Sequence, residues 1–136
     1  MSVGFIGLGN VGGKLAGSLL RNNMDVTVRD LDRGTAQPFL DKGASWGESP
    51  RAMAESCDII ITCLPSPAAS AAVMEAEDGI LAGLGDGKIW AEMSTTDQAE
   101  VTRLGAKVAA AGAAAVDCPV SGGCHRAATG NIAIFA

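Results

Sequence analysis

The sequence is short of the residues that much enzyme chemistry requires. It has one histidine, His125, and its four cysteines, Cys57, Cys63, Cys118 and Cys124, form no C-x-x-C pair. Zinc sites gather several such ligands at close spacing, so no metal site is expected. The scattered cysteines read as buried or half-buried free thiols, which implies a reducing compartment. No apolar run approaches the ~18 residues of a membrane-spanning helix. Positive charge is also in deficit: the formal net charge is −5, which argues against nucleic acid or an anionic membrane as partner. No repeat, linker or low-complexity tail interrupts the chain. The first strand begins directly after Met1, so no leader peptide is expected. The expected location is cytoplasmic, or organellar if a transit peptide is removed.

What is present is a chain of 136 residues, 48% hydrophobic, which suits one domain with a real core and excludes a disordered chain. Its organising stretch is Val3-Gly4-Phe5-Ile6-Gly7-Leu8-Gly9-Asn10-Val11-Gly12. It reads as an apolar strand, a glycine turn and a helix start. Gly7, Gly9 and Gly12 hold the G-x-G-x-x-G spacing. Gly7 permits the tight turn, Gly9 lets backbone approach a pyrophosphate, and Gly12 lets helix pack on strand. The helix start offers unpaired N–H groups to a diphosphate. A second strand, Asp25 to Arg29, runs into Asp30, where an acidic side chain would accept the ribose hydroxyls. Asp30 would also repel a 2′-phosphate. NAD is therefore the expected cofactor, with NADP as the alternative, because Arg29 or Arg33 could accept that phosphate.

Further elements alternate along the chain. Helices are expected over about Asn10–Asn22 and Arg33–Lys42, with Pro38 kinking the second or delaying its start. A short strand covers Ala44–Trp46. Ser49-Pro50 opens another helix, serine as N-cap and proline in the first turn. The unbroken run Asp58–Leu64 reads as a strand covered on both faces. Pro65-Ser66-Pro67 ends it, and an alanine-rich helix follows. Lys88–Glu92 is the next strand, and Asp97 with Glu100 reads as a capping box for a helix ending near Gly112. Ala114–Val120 is read as one strand. A loop from Ser121 to Gly130 is too short for a parallel crossover, which needs about a dozen residues or more, so the final strand, Asn131–Ala136, is expected to be antiparallel. The expected fold is α/β: a doubly wound, Rossmann-type, mainly parallel sheet with an antiparallel last strand.

In such sheets ligands bind beyond the carboxyl ends of the strands. Small, polar or turn-forming residues follow four of them: Gly7–Gly12, Leu64-Pro65, Ser94-Thr95 and Ser121-Gly122-Gly123. One composite site accounts for all of these. Leu64 and Pro65 would line the far half of the dinucleotide, and Ser94 and Thr95 could offer hydroxyls to its nicotinamide end. Ser121, Gly122 and Gly123 could form a small anion nest for a substrate carboxylate. Cys124, His125 and Arg126 adjoin that loop: a thiol without an activating partner, a proton donor or an exposed loop histidine, and an anion-steering or merely solvated arginine.

These motifs resemble the β-hydroxyacid dehydrogenase family, within it the 3-hydroxyisobutyrate dehydrogenase branch. The resemblance rests on Gly4–Gly12, Leu64-Pro65, Ser94-Thr95, Asp117-Cys118-Pro119-Val120-Ser121-Gly122-Gly123, Ala127 and Gly130-Asn131. His125 and Arg126 depart from the smaller residues usual there. The resemblance implies NAD(P)-dependent oxidation of a small 3-hydroxy acid. It places Gly7, Leu8, Gly9, Asn10, Val11, Gly12, Asp30, Leu31, Leu64, Pro65 and Thr95 at the cofactor and Ser121, Gly122 and Gly123 at the substrate carboxylate. It assigns the general acid/base to a lysine of an all-helical second domain. Residues 1–136 are then a dinucleotide-binding domain without catalytic residues of its own, and a homo-oligomer would form through the second domain. Two readings stay open: the cofactor half of a dehydrogenase, or a non-catalytic nucleotide-binding sensor or scaffold.

Overall fold

The computed structural model describes residues 1–136. The chain opens with β1 (Ser2–Ile6), α1 (Gly12–Arg21), β2 (Asp25–Arg29), α2 (Arg33–Leu40), β3 (Ser45–Trp46) and α3 (Pro50–Ser56). It continues with β4 (Ile59–Thr62), α4 (Pro67–Glu75), α5 (Ile80–Gly83), β5 (Ile89–Glu92), α6 (Gln98–Ala110) and β6 (Ala114–Asp117). The last elements are β7 (Val120–Ser121), α7 (Gly123–Thr129) and β8 (Ala133–Ile134). Six strands form one sheet in the order β3-β2-β1-β4-β5-β6, with every pair parallel. The chain builds outward from β1 on one side, then returns to β4 on the other. That reversal is a topological switch point, where the loops after neighbouring strands diverge and leave a crevice.

The β-branched run is the reason β4 is central. Ile60 and Ile61 point to opposite faces, and each joins a different buried cluster. One cluster takes Met53, Met74, Ile80, Trp90, Leu104 and Val108 from α3 to α6 and β5. The other takes Val3, Phe5, Leu15, Ala16, Val28 and Ala127, bringing α1 and α7 onto the opposite face. Trp90 is fully buried, and its Nε1 donates to Thr62 Oγ1 at 2.9 Å. Lys88, at the amino end of β5, donates from Nζ to the Glu55 and Cys57 carbonyls at 2.8 and 2.7 Å, satisfying free acceptors where α3 ends. On the surface, Arg103 and Lys107 of α6 hold the Glu75 carboxyl of α4 down at about 2 through their hydrogen bonds.

Helix starts follow the sequence cues. Ser49 Oγ accepts from Ala52 N–H, Ser66 Oγ from Ala69 N–H, and Asp97 Oδ1 from Ala99 N–H at 2.7 Å. The capping box is half-formed, because the Glu100 carboxylate pairs with Arg103 at 2.6 Å instead of reaching back. Pro38 lies inside α2, which nonetheless starts at Arg33.

Three expectations are corrected. Ala114–Val120 is not one strand: Cys118 N–H makes the last ladder bond, to Glu92 O, and Pro119 has no N–H to continue it. The chain then turns into β7, which pairs antiparallel with β8 as a separate ribbon. The final strand is thus antiparallel, as expected, but outside the main sheet. The Ser121–Gly130 loop contains a helix, α7, and a further short helix, α5, was not anticipated.

Candidate functional site

A crevice of about 1040 Å³ opens at the switch point. It is lined by the turn after β1 (Gly7, Gly9, Asn10, Val11 and Gly12) and by Asp30 and Leu31 after β2. Leu64 and Pro65 after β4, Thr95 after β5, and Ser121, Gly122 and Gly123 complete it. Chain segments far apart in sequence therefore meet in one place. Leu8 is the exception among the expected residues. Its side chain is buried in the core, and its N–H donates to Asp30 Oδ2 at 2.8 Å.

The glycines divide their work as the turn requires. Gly7 sits at φ +98°, and a Cβ there would lie 2.2 Å from the Cys63 carbonyl oxygen. A Cβ on Gly12 would lie 2.0 Å from the Gly7 carbonyl oxygen, so only glycine lets α1 approach the turn this closely. A Cβ on Gly9 would meet no atom within 4 Å. Gly9 therefore leaves open space in the crevice wall, room that an anion could occupy. Helix α1 adds the matching donors. Its N-cap, Val11, has no capping side chain and no acidic residue occupies its first turn. The N–H groups of Gly9, Asn10, Val11 and Gly12 donate to no carbonyl or side chain of the protein. Such a terminus presents bare N–H groups and the positive end of the helix dipole to an anion.

Asp30 does more than face the crevice. Its carboxylate accepts from Leu8 N–H and, at 3.2 Å, from Asp32 N–H, so it ties the glycine turn to the loop after β2. Each carboxylate oxygen keeps further acceptor capacity for a ribose hydroxyl. Arg29 is already committed: its Nη1 donates to Gly47 O and Glu48 O, both at 2.7 Å, and its guanidinium lies over the Trp46 ring. Arg33 stacks on the same ring, 5.1 Å from its centroid.

Ser94 corrects an expectation. It is buried, and its hydroxyl accepts from Leu64 N–H at 2.7 Å while donating to Glu92, so it is not free for a ligand. Thr95 is exposed at the crevice. Cys124, His125 and Arg126 lie on α7 outside the lining, and none of the four lysines, Lys14, Lys42, Lys88 and Lys107, lines the crevice. Cys63 does line the crevice, but burial, and secondarily the Glu92 charge, push its thiol up to about 11, so it stays protonated.

Sequence reasoning missed one wall. Ala69, Ala72, Val73 and Ala76 of α4 and its end line the crevice. Their i, i+3, i+4, i+7 spacing is the signal that marks one helix face. It also missed Glu92, a fully buried carboxylate at the end of β5.

Residues 2–136 match the family described as the NAD binding domain of 6-phosphogluconate dehydrogenase. The mitochondrial 3-hydroxyisobutyrate dehydrogenase of Rattus norvegicus is 36% identical over 130 residues, which cover 96% of this chain and 39% of that protein. A solved structure of Psf3 in complex with NADP+ and 2-OPP superposes with a TM-score of 0.93 at 33% identity, covering 97% of this chain and 47% of the other. The 3-hydroxyisobutyrate dehydrogenase of Mycobacterium tuberculosis, with L-serine, gives 0.89 at 25% identity, covering 98% and 45%. The chain spans about two fifths of the length of the curated relative and just under half of each solved neighbour.

Proposed function

The chain belongs to the family of NAD binding domains of 6-phosphogluconate dehydrogenase, and from that premise we propose that it is the cofactor-binding half of a dehydrogenase acting on small 3-hydroxy acids. One observation carries the reading: the uncapped amino end of α1, beside the open cradle at Gly9, faces a crevice that Ser121–Gly123 also line. When bound, a nicotinamide cofactor supplies the hydride acceptor. The residues of this chain bind and orient. The α1 amides hold the diphosphate, and Asp30 accepts the adenosine ribose hydroxyls. Leu64, Pro65 and Thr95 border the nicotinamide half. Gly122 and Gly123, both at positive φ, shape the loop that with Ser121 receives the substrate carboxylate. The family resemblance and the overall similarity to 3-hydroxyisobutyrate dehydrogenases support that assignment.

Oxidation of an alcohol also needs a base at the hydroxyl oxygen. No lysine or histidine lines the crevice. We therefore assign the base to a helical domain that accompanies this one, and we assign self-association to that domain too. Val116 on β6 and Ile134 and Phe135 around β8 are exposed apolar side chains suited to meeting it.

Between the two cofactors we favour NAD. Asp30 would sit against a 2′-phosphate, and Arg29 is held by the Gly47 and Glu48 carbonyls and by Trp46. Calorimetric titration at fixed salt is expected to show NADH bound about tenfold more tightly than NADPH, equivalent to ~1.4 kcal/mol. Asp30→Asn should narrow the gap while keeping an acceptor for Leu8 N–H. In the same preparation 3-hydroxyisobutyrate should not be oxidised unless the helical domain is supplied. Tighter NADPH binding overturns the NAD assignment, and turnover by residues 1–136 alone overturns the assignment of the base.

A further inference from the structure

Glu92 is a fully buried carboxylate with no cationic partner. Its surroundings supply hydrogens instead. Ser70 Oγ donates to Oε2 at 2.8 Å, Ser94 N–H donates to Oε1 at 2.9 Å, and Ser94 Oγ donates to the same oxygen. Ser94 Oγ accepts from Leu64 N–H, so its own hydrogen goes to Glu92. Three hydrogens and no acceptor around the group suit a carboxylate ion.

This ion touches the crevice through its own partners. Ser94 and Leu64 both line the crevice, and both are fixed through the bonds that begin at Glu92. Its field reaches the wall as well, since it helps raise the thiol of Cys63, another lining residue. Burying a bare charge is unfavourable, and a neutral side chain would join β4 to β5 without that penalty. The charge therefore calls for a reason beyond bracing.

We propose that Glu92 is a specificity-determining charge: seated behind the nicotinamide end of the crevice, it favours the oxidised cofactor, whose ring is cationic, over the reduced cofactor, whose ring is neutral. The inference rests on the reading above that Leu64, Pro65 and Thr95 border the nicotinamide. Contact with Ser94 would put the ring within about 8 Å of the carboxylate. At an effective dielectric of about 40, between bulk water and a protein surface, that attraction changes affinity by about fivefold.

The test compares affinities of the wild-type chain and Glu92→Gln for NAD+, NADH and ADP-ribose, which lacks the nicotinamide. Glutamine keeps the shape: its carbonyl oxygen can accept both Ser94 hydrogens, and its amide can donate to Ser70 Oγ. Glu92→Gln is expected to weaken NAD+ about fivefold while NADH and ADP-ribose stay within about twofold. Equal weakening of NAD+ and NADH overturns the proposal and leaves Glu92 a brace, and an unchanged ratio overturns it too. If Glu92→Gln fails to fold, Glu92→Met combined with Ser70→Ala is neutral and apolar on both sides, and the same ratio decides. Failure of the wild-type chain to bind ADP-ribose or NADH would sink the dinucleotide reading. Binding of all three ligands with an unmoved ratio would sink only the role of Glu92.

Discussion

Helices α1 and α6 leave the same edge of the same parallel sheet, yet they begin in opposite ways. Asp97 caps α6 through Ala99 N–H and Glu100 N–H, and Glu100 adds a negative charge in the first turn. Helix α1 has neither a capping side chain nor an acid in its first turn. An absent cap costs about 1 kcal/mol. The difference teaches that a helix start can be built for the fold or for a ligand. At α6 the donors are satisfied from within. At α1 they are kept open, and glycines clear the ground in front of them.

Three substitutions break or sharpen that contrast. The largest effect is expected from Gly12→Ala. Its Cβ would press 2.0 Å from the Gly7 carbonyl oxygen, a backbone atom that cannot step aside. Stability should fall by about 3 kcal/mol, read as a drop of roughly 10 °C in thermal unfolding. A melting temperature close to wild type would show that α1 need not approach the turn so closely. Next comes Gly9→Ala, which meets no protein atom within 4 Å. It should leave the melting temperature nearly unchanged and weaken NADH by about tenfold or more, because the methyl group occupies the cradle. Undiminished affinity would remove the phosphate from Gly9. The smallest effect belongs to Asp97→Ala, expected to lower stability by about 1 kcal/mol with NADH affinity unmoved. A matching loss of affinity would mean that α6 serves the ligand as well as the fold.

The half of the chain built on β1 was the more legible. Gly7, Gly9 and Gly12 announce a turn by backbone requirement alone, and Ser49-Pro50 announces a helix start by local hydrogen bonding, as Asp97 does in the other half. These signals act over a few residues, so sequence carries them. The unread features depend on packing across distance. Helix α5 spans only Ile80–Gly83, too short to show a periodic face, and it exists because Ile80 and Leu84 enter the core beside Met53 and Ala54. Helix α7 is only seven residues long and opens on glycine, so it carries little local signal within the connection from Ser121 to Gly130. The break at Pro119 was legible in principle, since proline cannot continue a ladder, but the apolar Val120 beyond it suggested more strand. For the site, the crevice-lining loops were found and the role of Ser94 was not. Nothing near Glu92 in sequence shows that Ser70, on another element, closes its hydrogen-bond shell.

The parallel pairing of β1 with β4 has a consequence for the order in which the molecule assembles. It sets Val3 against Ile59, partners far apart in the chain, and the crevice has no second wall until they meet. Contacts of such long separation pay their loop-closure entropy before they return any stability, which makes them slow to form. The α1 turn can form early, but the site it serves is complete only once β4 has docked. A cofactor that needs both walls then has nothing to grip in a half-built chain. Its effect should fall on the rate at which the finished domain comes apart, with little effect on the rate at which it forms.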